Sequence, residues 1–104
     1  MGAVKVFMFN MDFELIAKKT LEDLYEKLDK QESLDIELTD DGVLMISAPN
    51  GEYVLNKHFV TKQIWYSSPV SSLKYFNYID GKFLEKNNRN LTLEQALFDD
   101  LAKI

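Results

Sequence analysis

Leu34-Asp35-Ile36-Glu37-Leu38-Thr39-Asp40-Asp41-Gly42-Val43-Leu44 is where the chain changes its period. Leu34, Ile36 and Leu38 alternate with Asp35, Glu37 and Thr39, which predicts a strand with one face buried and its acids in water. Asp41-Gly42 then predicts a hairpin turn. Upstream the spacing is helical: Phe13, Ile16, Ala17, Leu21, Leu24, Tyr25 and Leu28 recur at i, i+3, i+4 and i+7, with Thr20 a tolerated polar step. An amphipathic helix over Asp12 to Lys30 is expected, with Asn10 as its cap and Asp12 and Glu14 at the positive end of its dipole. Downstream, Val43 to Ala48 and Glu52 to His58 read as strands separated by Pro49-Asn50-Gly51. Lys62 to Ser67, Lys74 to Ile79 and a short Lys82 to Glu85 after Asp80-Gly81 complete about six strands.

Short turns join antiparallel neighbours, since parallel pairs need long crossovers. Thr92-Leu93-Glu94-Gln95 has the form of a capping box, in which Thr92 takes the Gln95 amide and the Gln95 side chain reaches back. Leu93, Ala96, Leu97, Leu101 and Ile104 would line one face of the closing helix. The fold class is therefore α+β, a two-layer sandwich with both helices on one face of an antiparallel sheet. The other face is left to water or to a partner. Residues 1–10 are expected to form a flexible extension and 11–104 a single domain.

The composition removes whole classes of chemistry. The 104 residues suffice for one domain, and 46% hydrophobic content fills one core. With no cysteine the chain has no thiolate metal site, no disulfide and no cysteine nucleophile, and His58 is its single histidine. No apolar run reaches the roughly 20 residues of a membrane-spanning helix, so no membrane partner is expected. Met1 to Asn10 makes a poor presequence, with one lysine and no arginine. Ser67-Ser68-Pro69 has no base at suitable spacing, and hydroxyls capping a turn are expected there. Residues 12 to 41 hold eleven of the seventeen acids against four lysines, a net of −7, while the remainder carries +2. That acidic lobe repels phosphate backbones, so no nucleic-acid partner is expected.

Two constellations stand out. In Gln63-Ile64-Trp65-Tyr66-Ser67, a period of two puts Ile64 and Tyr66 on one side and Gln63, Trp65 and Ser67 on the other. Asn56, opposite in phase to Leu55, can share the Trp65 face. A tryptophan ringed by amides and hydroxyls has the composition of an interface hot spot, and packing under a loop is the competing reading. On the first helix Glu22, Asp23, Glu26 and Asp29 are helical neighbours. They read either as a solvated face softened by Glu22–Lys18 and Glu26–Lys30 pairs, or as oxygen ligands for a hard cation.

Tyr53-Val54-Leu55-Asn56-Lys57, a five-residue spacer, Gln63-Ile64-Trp65-Tyr66-Ser67-Ser68-Pro69-Val70-Ser71 and Lys74-Tyr75-Phe76 together resemble the signature of the frataxin family. The likeness extends over about residues 11 to 104. It implies a regulator of iron-sulfur cluster assembly that binds the complex of a cysteine desulfurase with its scaffold protein and promotes sulfur transfer. On matched positions, Asn56, Lys57, Gln63, Trp65 and Lys74 would contact that complex. Glu22, Asp23, Glu26, Asp29, Asp35 and Glu37 would bind ferrous or ferric iron weakly. The alternative role is an iron chaperone or storage protein with ferroxidase activity. The resemblance further implies a monomer that can oligomerise on iron. It points to the mitochondrial matrix or a reduced mitochondrial organelle, or in a bacterium the cytoplasm.

Several positions depart from the pattern. Tyr75 stands where arginine is frequent and His58 where glutamine is. Phe59-Val60-Thr61 lacks a frequent proline, Ser72-Leu73 replaces a common Gly-Pro, and Lys18 and Lys19 replace acids. The tail that covers the gap between the helices in longer members is expected to be missing after the second helix, and modest thermal stability is expected with it.

Overall fold

Twenty-six residues pass from Ala3 to Leu28 without a glycine or proline, and the chain stays helical throughout that stretch. The computed structural model describes residues 2–104, with side chains from Phe13 onward. Helix α1 is Gly2–Leu28, so Asn10 lies inside it rather than at an N-cap near Asp12. No residue there breaks the helical path. The expected boundary between an extension over 1–10 and a domain over 11–104 falls on residues whose side chains lie outside the described ones. Phe13, Ala17, Leu21, Leu24 and Leu28 form the buried stripe of α1.

Among the described residues, β1 (Asp35–Leu38), β2 (Val43–Ala48), β3 (Gly51–His58), β4 (Gln63–Ser68), β5 (Ser72–Ile79), β6 (Lys82–Glu85) and β7 (Asn88–Thr92) form one antiparallel sheet in sequence order. The seventh strand is one more than the sequence pattern predicts. Asn88, Arg89 and Asn90 are exposed and polar, so β7 has no apolar alternation to announce it. Its register with β6 is irregular at Leu84/Glu85. Two turns have the geometry their residues suggest. Asp80 and Gly81 both have positive φ, 50° and 83°, as a tight hairpin of twisted strands requires. Gly42 sits at φ +86°, where a Cβ would lie 2.7 Å from the Lys57 Cε.

Leu44, Ile46, Tyr53, Leu55, Ile64, Tyr66, Phe76 and Phe83 point from the sheet into the layer beneath the helices. There they meet the α1 stripe and Leu93, Ala96 and Leu97 of α2 (Leu93–Leu101). Each large side chain fully buried in this layer contributes about 1.5–3 kcal/mol. Thr92 caps α2 as expected, its Oγ1 accepting from the Gln95 N–H at 3.1 Å. The Gln95 side chain does not complete the box, because its Nε2 donates forward to Asp99 Oδ1 at 2.8 Å. An ionised acceptor one turn ahead is the stronger partner. Ile104 lies past the end of α2 and is exposed, so it adds nothing to the apolar face. No helix among the described residues is long and apolar enough to cross a membrane.

The far end of α2 is fixed by a buried carboxylate. Asp100 Oδ2 accepts hydroxyl hydrogens from Tyr66 at 2.6 Å, Ser71 at 2.7 Å and Ser68 at 2.8 Å. The Tyr53 hydroxyl donates to the Asp100 carbonyl at 3.2 Å. Ser68 Oγ also accepts the N–H groups of Val70 and Ser71, so the Ser-Ser-Pro hydroxyl caps its turn. Burial pushes the Asp100 carboxyl up, but the three hydroxyl bonds together outweigh it and hold the group below the usual carboxylate range. The Tyr66 hydroxyl is pushed well above the usual tyrosine range by burial and by Asp100.

Candidate functional site

Because both helices lie on one side, every second residue of the central strands faces the uncovered side of the sheet. Register then decides which side chains meet. Asn56 on β3 is paired with Trp65 on β4, and Trp65 with Tyr75 on β5. One step along, His58 is paired with Gln63 and Gln63 with Asn77. Two short rows of polar and aromatic side chains therefore run side by side across three strands.

These groups hold one another. The His58 imidazole stacks on the Trp65 indole with centroids 3.6 Å apart and planes 20° from parallel. Tyr75 meets Trp65 edge-on at 5.0 Å, and the Lys86 ammonium lies 5.8 Å from the centre of the Tyr75 ring. Trp65 Nε1 donates to Gln63 Oε1 at 2.9 Å, and Gln63 Nε2 donates to Asn77 Oδ1 at 2.9 Å. Trp65 is half-buried, with His58 and Tyr75 of the neighbouring strands against its ring. Beside it the β3–β4 turn carries Phe59, 49% exposed, and Val60, 92% exposed. The sheet thus offers a firm aromatic plate with amides along one side and an apolar tip at one end. Such a surface can engage a protein partner with little ordering cost.

Of the five expected contact residues, Asn56, Gln63 and Trp65 come together. Lys57 and Lys74 do not join them. Lys57 is paired in register with buried Ile64, and its ammonium is ion-paired with Glu14 of α1. Lys74 is paired with buried Tyr66, so it too faces the helix side. The positions beside Trp65 belong to His58, Tyr75 and Asn77. Alternation about buried Phe76 could have identified Tyr75 and Asn77. Lys86 lies beyond β6 and carries no periodic signal.

The six acids are divided between two sides of the molecule. Glu22, Glu26 and Asp29 are exposed on α1, and Asp23 is bonded to Lys19 at 3.3 Å. Lys27 crosses to Glu94 of α2 at 2.8 Å, a contact that raises its pKa through the hydrogen bond and the opposite charge. These pairs stand in place of the expected Glu22–Lys18 and Glu26–Lys30 pairs. Asp35 and Glu37 alternate with half-buried Ile36 and Leu38, so they point away from the helices at the β1 edge. Among the described residues no three Asp, Glu or His side chains are grouped to hold a metal ion. Asp41 is engaged in its turn, where the Thr39 hydroxyl donates to it at 2.6 Å and holds its carboxyl below the usual range.

Comparison with known proteins agrees with this architecture. Residues 7–104 match the frataxin-like domain family. The mitochondrial frataxin of Dictyostelium discoideum is 38% identical over 92 residues, covering 86% of this chain and 46% of that protein. The mitochondrial frataxin homolog of Schizosaccharomyces pombe is 36% identical over 63 residues, covering 61% of this chain and 39% of the relative. The chain thus spans less than half the length of these curated relatives. The crystal structure of trimeric frataxin from Saccharomyces cerevisiae complexed with ferrous iron superposes with a TM-score of 0.75 at 28% identity. That match covers 85% of this chain and 83% of the yeast one.

Proposed function

The chain belongs to the frataxin-like family, and from that premise we propose that it binds the complex of a cysteine desulfurase with the iron-sulfur scaffold protein and promotes sulfur transfer to the scaffold. The observation that carries the reading is the convergence of Asn56, Gln63 and Trp65 on the uncovered face of the sheet. A chain without cysteine cannot carry the persulfide or hold a cluster on its own thiols. Its contribution is a docking surface. In this reading the aromatic plate packs against the scaffold beside its cysteines, and Asn56 supplies an amide to hydrogen-bond the partner. Docking would favour the arrangement of desulfurase and scaffold in which the sulfur donor and acceptor meet.

Iron is the second ligand of this reading. The solved yeast relative bound to ferrous iron and the exposed carboxylates of α1 support weak binding at Glu22, Asp23, Glu26 and Asp29, with Asp35 and Glu37 as a separate patch. Carboxylate oxygens suit hard cations, and without a closed shell the affinity is low and the ion exchangeable. A role as iron chaperone with ferroxidase activity rests on the same acids. The trimeric yeast structures support an oligomer as one state of the protein. The mitochondrial relatives support residence in mitochondria or an organelle derived from them.

The test is desulfurase turnover in the presence of scaffold, with native and Trp65→Ala protein, with and without ferrous iron. Native protein should raise turnover and the variant should not. Equal activation by both would exclude the sheet face as the docking surface.

A further inference from the structure

The amide of Gln63 spends half of its hydrogen-bonding capacity inside the face. An indole N–H is a donor only, so Gln63 must turn its oxygen towards Trp65. That orientation turns its Nε2 towards β5, where the group facing it has to be an acceptor. Asn77 Oδ1 fills that position at 2.9 Å. The three side chains form a relay of fixed polarity, Trp65 to Gln63 to Asn77, and reversing any one amide would set donor against donor. His58, stacked on the indole, and Tyr75, set against it at a steep angle, complete the enclosure.

We propose that Asn77 is a positioning residue of the docking face: it fixes the orientation of the Gln63 amide and, through it, the rotamer in which Trp65 meets a protein partner. The inference deepens the docking reading above and rests on it for its consequence, but the geometry it concerns exists in the free protein. A Trp65 held in its bound rotamer before contact loses less freedom on association. Asn77 therefore affects affinity without itself touching the partner. Its half-buried site on the open face lies outside the core, so substitution there leaves the fold intact.

Trp65 is the single tryptophan, which makes the test direct. Asn77→Leu removes the acceptor, and Asn77→Asp keeps one. Fluorescence anisotropy of the free full-length chain and the indole N–H resonance report on Trp65, while binding to the purified desulfurase–scaffold complex reports the consequence. In Asn77→Leu the indole resonance should shift and exchange faster, anisotropy should fall, and affinity should drop about three- to tenfold, the worth of one oriented hydrogen bond. Asn77→Asp should restore all three. The proposal is overturned if Asn77→Leu leaves both indole signals native, or if Asn77→Asp weakens binding as much as Asn77→Leu while its indole signals stay native, which would make Asn77 a direct contact. A native-like affinity of Trp65→Ala, together with a freed indole in Asn77→Leu, would overturn the docking reading and leave the positioning role standing.

Discussion

The His58 imidazole lies flat on the Trp65 indole, 3.6 Å away, so one face of the tryptophan is covered by a histidine from the neighbouring strand. From that side the group presented is the imidazole. The substitution His58→Ala uncovers the ring and should shift its fluorescence emission to the red and raise quenching by acrylamide. The stability cost should be about 1 kcal/mol, the worth of an aromatic pair. Chemical denaturation measures the second quantity, and unchanged quenching would remove the stack as a feature of the solution state.

Asp100 joins α2 to β4 and the turn after it through three hydroxyls, those of Tyr66 and Ser68 on the strand and Ser71 in the turn. Asp100→Ala leaves those hydroxyls without their acceptor inside the fold, and should cost about 2–4 kcal/mol. Since its carboxyl is held below the usual range in the folded state, the folded chain binds fewer protons than the unfolded one as both titrate. Its contribution is complete above the unfolded value of about 4 and is lost as pH falls through the lower folded value. Melting temperatures of native protein should therefore decline below about pH 4 more steeply than those of Asp100→Asn.

At Gly42 the backbone has φ +86° and the Lys57 side chain lies where a Cβ would go. Gly42→Ala must bear left-handed strain and push Lys57 away from Glu14. A loss of about 1–2 kcal/mol is expected in urea unfolding. The Trp65 resonances on the opposite face should be unchanged.

Titration with ferrous iron should broaden amide resonances along the exposed side of α1 and spare Trp65. Replacing Glu22, Asp23 and Glu26 by their amides should remove the broadening on α1, because neutral amides lack the charge that holds a hard cation. Broadening that persists in this variant would place the iron elsewhere.

Burial decided what was legible in advance. Ile64 and Tyr66 against Trp65, or Leu55 against Asn56, differ so plainly in polarity that alternation alone placed them on the correct faces. Lys57 and Lys74, which the resemblance names as partner contacts, share the parity of Ile64 and Tyr66 and lie on the side of the helices. β7 escaped because an exposed polar edge strand has no pattern to read. The Gln63–Asn77 contact escaped because it depends on the register of β4 against β5, which sequence spacing within one strand does not specify.

The two outer strands also govern what the sheet does with neighbours of its own kind. β1 is four residues long and carries Asp35 and Glu37, and β7 is five residues of largely exposed polar chain ending at α2. Short, charged or polar margins offer a poor template for another strand. A sheet with one whole face uncovered is thereby guarded along its rims, and backbone pairing between copies is discouraged.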